Sequence, residues 1–130
     1  MEKFLFRAWD NVENKMYYCG EEEDIVFILG CEGIRAERIK GYKYDDPVEA
    51  LDHLIYMQYT GLKDKNDKEL WVSDIIENEH GERWLIVWEG TGFRVALGGN
   101  KEAIYAPNEY WFNSCKKIGN IYENPELLEG

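Results

Sequence analysis

The sequence predicts a mainly β fold, a β-rich α+β domain built around a small sheet or barrel. Short runs of β-branched and aromatic residues recur along the chain, separated by Gly, Asn and Asp clusters at spacings typical of antiparallel strands. Apolar residues make up 45% and aromatic residues 15% of the 130 residues, enough for one packed core. We therefore expect one domain over residues 1–130, with an N-terminal hairpin region at about 1–45 packed on a barrel-like region at about 54–123.

The first part of the chain is predicted to contain a hairpin and a further strand. The segment KFLFRAWDNVENKMYY has two short aromatic runs around DNVEN, whose Asp and Asn residues favour a turn, and it therefore predicts a β-hairpin. IVFIL at 25–29 predicts one short buried strand. The four acidic residues at 21–24 predict a solvated loop that keeps the end of this strand from pairing with other chains.

The segment DDPVEALDHL carries the signals for a helix. Asp46 is a candidate N-cap, Pro47 suits the first helical position, and Glu49 lies three residues after the cap. These residues predict one short helix near 47–53, which ends where the β-prone run LIYMQYT begins.

Strands dominate the prediction for the remainder. Three strand candidates lie in ELWVSDII, RWLIVWE and FRVAL, separated by NEHGE and EGTG. Both alternating faces of RWLIVWE are apolar, which is typical of a tightly curved barrel strand. YWFNSCKKIGNIY predicts a further strand, and ENPELLEG predicts a short C-terminal helical turn capped by Asn124 with Pro125 behind it.

The charged segment YTGLKDKNDKELWVSDII suggests either a calcium loop or a hairpin. A calcium loop starting at Asp64 would need an oxygen ligand, a Gly and a Glu at positions where the chain has Lys68, Glu69 and Ile75. We therefore expect a hairpin with a polar turn between Tyr59 and Trp71, and neither a metal nor another cofactor.

The sequence does not predict an enzyme. Of its two histidines, His53 lies on the expected helix and His80 in an expected turn, and turn and surface roles outweigh a general-base role for each. ALGGNKE has two adjacent glycines but lacks the G-x-x-x-x-G-K frame of a phosphate-binding loop, so it predicts a turn.

The charge balance opposes binding to nucleic acid. The chain has 26 acidic and 15 basic residues, a net charge of −11, whereas affinity for phosphates comes from Lys and Arg. A nucleic-acid-binding β-barrel that stacks bases on aromatic rings remains the alternative. It would draw on these cations: Arg35, Arg38, Lys40, Lys43, Lys116 and Lys117.

Cysteine usage and hydropathy predict a soluble cytoplasmic protein with no membrane segment. Cys19, Cys31 and Cys115 form no C-x-x-C pair, which predicts buried or partly buried free thiols in a reducing compartment. Charges at positions 2, 3, 7 and 10 leave no room for the apolar core of a signal peptide.

Aromatic residues exceed what a small core easily hides. Most should be buried, but two or three exposed rings on one face would mark a surface that binds a partner. The candidates are Tyr18, Trp71, Trp88 and Trp111.

Three segments together resemble the YopX family of phage and prophage proteins. Their motifs are FRAWD at 6–10, QYTGLKD at 58–64 and IGNIYENPEL at 118–127. The resemblance implies a largely β fold with an SH3-like barrel, an origin in phage or prophage regions and no established biochemical activity. The residues it marks are expected to be structural: Phe6, Arg7, Trp9, Gln58, Tyr59, Gly61, Asp64, Asp74, Gly119, Asn120, Tyr122, Asn124 and Pro125.

The chain departs from the family pattern at two glycines. Family members usually have an Asn-Gly turn and a Glu-Gly pair, where this chain has Asn66-Asp67 and Val72-Ser73, and we expect a somewhat wider loop as the accommodation. We further expect an accessory protein of unknown biochemical activity in the cytoplasm of a bacterial host. It would act through contacts with a host or phage protein, or as a homo-oligomer.

Overall fold

A computed structural model of the chain describes residues 6–41 and 43–129. Strands dominate, so the predicted β-rich fold class is confirmed. The chain divides into two compact units, the first ending at Tyr56 and the second beginning at Met57. The predicted start of the hairpin segment at residues 3–5 and the N-terminal charges at positions 2 and 3 lie outside the described residues, as does Tyr42 in the basic stretch.

The first unit begins with the predicted hairpin. Strand β1 (Phe6–Asp10) pairs antiparallel with β2 (Lys15–Tyr18). The Asp10 Oδ1 atom accepts hydrogen bonds from the Val12 and Glu13 amides at 2.9 and 3.0 Å, so a carboxylate closes the turn as the DNVEN segment predicts.

A separate antiparallel sheet in the first unit has the order β3-β4-β5 among the described residues. Its strands are β3 (Ile25–Gly30), β4 (Gly33–Ile39) and β5 (Val48–Ala50). Ile25, Phe27 and Ala36 face a core that also contains Ala8 and Tyr17. The predicted burial of β3 is wrong for its other face, where Val26 is exposed. It is also wrong for Leu29, which lies on the same face as Ile25 and Phe27 but is exposed near the end of the strand.

The predicted helix near 47–53 is wrong, because residues 48–50 form β5 instead. Main-chain pairing of Val48 with Ile39 outweighs the local capping signals. The Asp46 Oδ2 atom accepts a hydrogen bond from the preceding Lys43 amide at 2.8 Å, so this carboxylate stabilises a turn.

The hairpin predicted around Asp64 is confirmed in the second unit. Strand β6 (Ile55–Lys63), which begins in the first unit, pairs with β7 (Glu69–Trp71) through a bulge between Tyr59 and Lys63. Gly61 takes a φ of 82° in the bulge, and the Thr60 hydroxyl donates to the Leu70 carbonyl at 2.6 Å. The QYTGLKD motif therefore specifies an irregular strand and its turn.

The second unit also contains an antiparallel sheet with the order β11-β10-β9-β8-β12 among the described residues. Its strands are β8 (Asp74–Glu77), β9 (Arg83–Glu89), β10 (Gly92–Leu97), β11 (Ile104–Tyr105) and β12 (Lys116–Asn120). The predicted single strand ELWVSDII is divided into β7 and β8, because Ser73 adopts a φ of 81° and turns the chain.

A short helix lies where the sequence predicts part of a strand. Helix α1 (Glu109–Ser114) begins after Asn108, whose side chain accepts a hydrogen bond from the Trp111 amide. Residues 125–128 form a 3₁₀ helix, which confirms the C-terminal helical turn. Asn124 precedes it without capping it, because its Oδ1 atom instead accepts a hydrogen bond from the Asn120 amide at 3.2 Å.

The core of the second unit lies between one face of the sheet and α1. Ile86, Val95, Phe112 and Cys115 are buried there together with Leu70 of the hairpin. Within residues 6–41 and 43–129, no helix combines the length and hydropathy needed to cross a membrane.

Candidate functional site

The four aromatic residues predicted as a partner surface lie in different environments. Trp71 is only 6% exposed, so its prediction as a surface residue is wrong. Its ring packs against Tyr59 and its amide donates to Asp74, which holds it inside the second unit. Trp111 and Tyr18 are half-buried, the latter in the first unit with its ring facing the Arg7 guanidinium at 5.9 Å. Trp88 is 51% exposed.

Trp88 belongs to a group of rings on one face of the five-stranded sheet. It lies opposite Phe93, and the two rings meet edge to face with centroids 4.9 Å apart. Tyr105 lies opposite Val95, two residues from Phe93 along β10, and therefore shares this face. The Trp84 ring contacts Tyr105 with centroids 5.5 Å apart. The Trp111 ring of α1 also contacts Trp84, with centroids 5.5 Å apart. We name the four sheet residues together with this helix residue the aromatic face: Trp84, Trp88, Phe93, Tyr105 and Trp111.

The aromatic face continues the core-facing side of the sheet beyond its cover. Ile86 and Val95, on the same side, are completely buried. Trp88 and Tyr105 are instead 51% and 56% exposed. Large rings left in water on regular strands resemble the anchors found at the centres of protein interfaces.

Sequence reasoning missed Phe93 and Tyr105 as members of this surface. The alternation in FRVAL places Phe93 and Val95 on one face, and pairing with RWLIVWE could have grouped Phe93 with Trp88. Tyr105 lies on a strand of only two residues, which is too short to give a periodic signal.

A polar network surrounds Asp10 in the first unit. The Tyr17 hydroxyl donates to Asp10 Oδ2 at 2.8 Å, and His53 Nε2 lies 2.8 Å from Oδ1. Burial alone would raise the pKa of Asp10. Hydrogen bonds, chiefly from the Glu13 amide and then from Tyr17 and Val12, outweigh that cost and lower the pKa to about 2.

Acidic neighbours offset much of the positive charge that the nucleic-acid alternative requires. Arg38 forms a bidentate contact with Glu13 at 3.1 and 3.2 Å and also contacts Glu49 at 3.3 Å. Its hydrogen bonds lower the pKa of Glu13. Lys117 lies 3.1 Å from the buried Asp74 carboxylate. Lys40 is exposed and lies 3.7 Å from the Glu49 carboxylate. The other three cations of the predicted set are also exposed: Arg35, Lys43 and Lys116.

Asp64 joins the β6–β7 hairpin to β12 within the second unit. Its Oδ1 atom accepts hydrogen bonds from the Asn66 and Lys68 amides at 2.8 and 2.9 Å, and Oδ2 accepts one from the Lys117 amide at 2.9 Å. Burial opposes ionisation of Asp64, but these three bonds outweigh it and lower the pKa. Both carboxylate oxygens are therefore used by the main chain.

The positions of the two replaced family glycines keep a left-handed backbone. Asp67 has a φ of 63° and Ser73 a φ of 81°. The expectation of a wider loop is wrong, because the turn is still closed by a hydrogen bond from the Asp67 amide to the Asp64 carbonyl at 3.1 Å. Side chains here occupy conformations that Gly adopts without strain.

The C-terminal motif forms a compact turn within the second unit. A Cβ atom added to Gly119 would lie 2.5 Å from Asn124 Oδ1, so a side chain has no room there. The Asn120 Oδ1 atom accepts hydrogen bonds from the Tyr122 and Glu123 amides at 3.0 and 2.8 Å. Pro125 begins the 3₁₀ helix that follows. These contacts hold the turn rather than a ligand.

The N-terminal motif residues are buried, whereas the central ones range from the buried Asp64 to the exposed Gln58 and Gly61. Phe6 is buried and packs edge to face on Phe27, while Arg7 and Trp9 are buried in β1. Tyr59 packs on Trp71, and the main-chain carbonyl of the exposed Gln58 accepts a hydrogen bond from the Val72 amide at 3.1 Å. 

Neither histidine lies beside a nucleophile in the part of the chain that the structure describes. His53 is in a turn, not on the predicted helix, and its Nε2 atom contacts the Asp10 carboxylate. His80 lies in the predicted turn, where its amide donates to Asn78 Oδ1 at 3.0 Å. An Asp–His pair orients a general base in hydrolases, but such a site also needs a nucleophile within hydrogen-bond distance.

The predicted free thiols are confirmed for all three cysteines. Cys115 is completely buried, and burial raises its pKa to about 11. Cys19 is half-buried. The prediction of burial is wrong for Cys31, which is exposed in the β3–β4 turn.

The fold and contacts define a β-rich protein of two compact units, in which the marked motif residues mostly lie in the interior and in turns. The family model described as "YopX protein" matches residues 5–129. The chain therefore belongs to the YopX family. No curated protein matches it.

Solved structures have the same fold. Protein EF1440 from Enterococcus faecalis is 25% identical, with a TM-score of 0.63 over 99% of this chain and 100% of that one. Protein yopX from Bacillus subtilis is 20% identical, with a TM-score of 0.64 over 97% of this chain and 96% of that one. Both proteins therefore share this arrangement of strands.

Proposed function

We propose that this chain is a phage- or prophage-encoded accessory protein that acts in the bacterial cytoplasm by binding another protein, without catalysis. The observation that carries the proposal is the exposed Trp88 ring on the aromatic face, which packs edge to face on the half-buried Phe93. Trp is enriched among the residues that contribute most to binding between proteins. A partner that covers this pair would remove apolar surface from water at a rigid position on two paired strands.

The polar clusters support the same function. The Asp10, Asp64 and Asp74 carboxylates are buried and hydrogen-bonded to groups of their own unit. Such groups stabilise a fold and leave the exposed rings as the chemistry offered to a partner.

The experiment is a tagged pull-down from bacterial extract at low and high salt, with bound proteins identified by mass spectrometry and nucleic acid assayed separately. Wild-type protein should retain one stoichiometric protein at both salt concentrations, because an aromatic contact is screened little by salt. Trp88→Ser should weaken retention by about 30-fold, the effect of a contact worth about 2 kcal/mol.

The matched control is Val12→Ser, which changes an exposed apolar residue in the turn of the first unit. Retention unchanged by Trp88→Ser would contradict the role of the aromatic face. Light scattering measures the mass of the purified chain in solution. It therefore distinguishes binding of a different protein from self-association. Retention of nucleic acid alone, lost at high salt, would instead favour the β-barrel alternative.

A further inference from the structure

Strand β3 forms an open edge of the three-stranded sheet in the first unit. Among the described residues, its strand partner is β4 alone. Its sequence, IVFILG, contains no charge, no Pro and no bulge in its pairing with β4. Natural sheets usually protect an edge with one of those features within the strand. The acidic run at 21–24 precedes β3, so it disfavours an acidic chain but leaves the edge open to a basic one.

The register identifies the main-chain groups that point outward from this edge. The Ile39 amide donates to the Asp24 carbonyl at 2.7 Å, so Asp24 faces β4. Antiparallel pairing alternates, and the N–H and C=O groups of Ile25, Phe27 and Leu29 therefore point away from β4. On the far side of β4, the Ala36 carbonyl accepts from the Leu51 amide, as the same alternation requires.

Side chains on both faces of β3 would contribute to a new contact. Val26 is 41% exposed on the outer face, and Leu29 is 59% exposed on the opposite face near the end of the strand. An added strand would cover parts of both, and would supply partners for the outward main-chain groups of Phe27 and Leu29, whereas Ile25 is only 7% exposed.

We propose that β3 accepts an extended segment of a partner protein as an additional antiparallel strand, and that basic residues follow the apolar part of that segment. This inference rests on the proposed function, since the partner supplies the strand. Glu21 and Glu23 are exposed at the N-terminal end of β3, and so is Asp24, whose carboxylate lies 3.7 Å from the Arg38 guanidinium. The C-terminal end of an antiparallel segment lies there, where Lys or Arg would complement the acidic charge.

A second copy of the chain fits this edge less well. Each copy carries a net charge of −11, which opposes self-association. If two copies paired around Phe27, the acidic run of each would approach the turn of the other at Cys31 and Glu32. That arrangement brings like charges together, whereas a basic segment brings opposite charges together.

The test uses a fluorescein-labelled peptide, Thr-Val-Thr-Val-Thr-Lys-Lys, and measures fluorescence anisotropy against the full chain at low salt. One control peptide carries N-methyl groups on the alternate residues whose N–H groups would face β3, and another has the two Lys residues first. Loss of two or three hydrogen bonds worth about 1 kcal/mol each should lower the affinity of the N-methylated peptide by at least about tenfold. The peptide with Lys first should also bind more weakly.

The matched protein variants are Leu29→Pro and Leu29→Ala. Proline removes the outward N–H of Leu29 and leaves the hydrogen bonds to β4, whereas alanine keeps the N–H and shortens the side chain. Leu29→Pro should lower the affinity for the peptide about fivefold more than Leu29→Ala does. Circular dichroism checks that both variants fold, and Glu23→Lys provides a variant with the strand unchanged and the charge reversed.

Equal binding of the plain and N-methylated peptides would overturn strand addition. Weaker binding to Leu29→Ala than to Leu29→Pro would do the same. A dimer of the wild type that Leu29→Pro converts to a monomer would assign the edge to a second copy and overturn the proposed occupant. The proposed function is tested separately, with Trp88→Ser in the other unit. If that variant loses the partner, the proposed function stands even where the peptide does not bind β3.

Discussion

Asp64→Asn tests whether the Asp64 carboxylate is a structural element of the second unit. The substitution keeps the size of the side chain and removes its charge and one acceptor oxygen. With the amide oxygen directed at the Asn66 and Lys68 amides, the new NH₂ group faces the Lys117 amide, which loses its acceptor. The new NH₂ group and the Lys117 amide, both donors, then face each other at Asp64, which is only 4% exposed in the wild type.

The expected loss of stability follows from these contacts. A hydrogen bond to a charged group contributes about 1.5–3 kcal/mol, and a buried donor without an acceptor costs about 1–3 kcal/mol. The two remaining bonds also weaken when their acceptor becomes neutral. We expect Asp64→Asn to lower the free energy of unfolding by about 3 kcal/mol, a large part of the roughly 5–15 kcal/mol of a typical domain.

Urea denaturation followed by Trp fluorescence measures this loss. Asp67→Asn is the matched control, because Asp67 lies in the same turn with its side chain 85% exposed, and Asn tolerates its φ of 63°. Its contact with Lys63 is worth about 0–1 kcal/mol, so the control should stay close to wild type. A change within about 0.5 kcal/mol for Asp64→Asn would refute the reasoning. So would stabilisation of wild type by calcium that the variant lacks.

Three further predictions concern single residues. Cys31 should react with a thiol reagent in the native state, whereas Cys115, buried and with its pKa raised to about 11, should react only after unfolding, as mass spectrometry would detect. The pKa of Asp10 is lowered from 3.8 to about 2, so its stabilisation is complete above about 3.8 and is lost as the pH falls through about 2. Asp10→Asn should flatten the acid limb of a stability–pH curve, and an unchanged limb would contradict this role. Ser73→Gly should be neutral or stabilising by up to about 1 kcal/mol, and Ser73→Val destabilising by about 2 kcal/mol, in urea denaturation.

Elements specified by local chemistry could be predicted from the sequence. The turns at DNVEN and around Asp64 are each closed by a carboxylate that accepts amides two to four residues ahead, and both hairpins were therefore recognisable. Asn108 was an equally local signal for α1, but the aromatic run after it favours a strand.

Elements specified by distant partners could not be predicted in this way. Residues 48–50 follow a good N-cap sequence, yet their pairing with β4 is decided by residues about ten positions earlier. Trp71 and Trp88 look alike in the sequence. Trp71 is buried because it packs on Tyr59 across the hairpin, and Trp88 is exposed because it lies near the end of its strand.

The residues of the two proposed contact surfaces lie outside the segments that identify the family. The motifs at 6–10, 58–64 and 118–127 supply strands, bulges and turns through Thr60, Asp64 and Asn120. Trp88, Tyr105 and the β3 edge lie between these motifs. A member of the family can therefore keep the scaffold while its contact surfaces change, so shared motifs alone do not imply a shared partner. Exchanging the exposed residues of β3 and of the β9–β10 pair between two members, with the buried Ile86 and Val95 kept, should transfer partner choice and leave the fold intact.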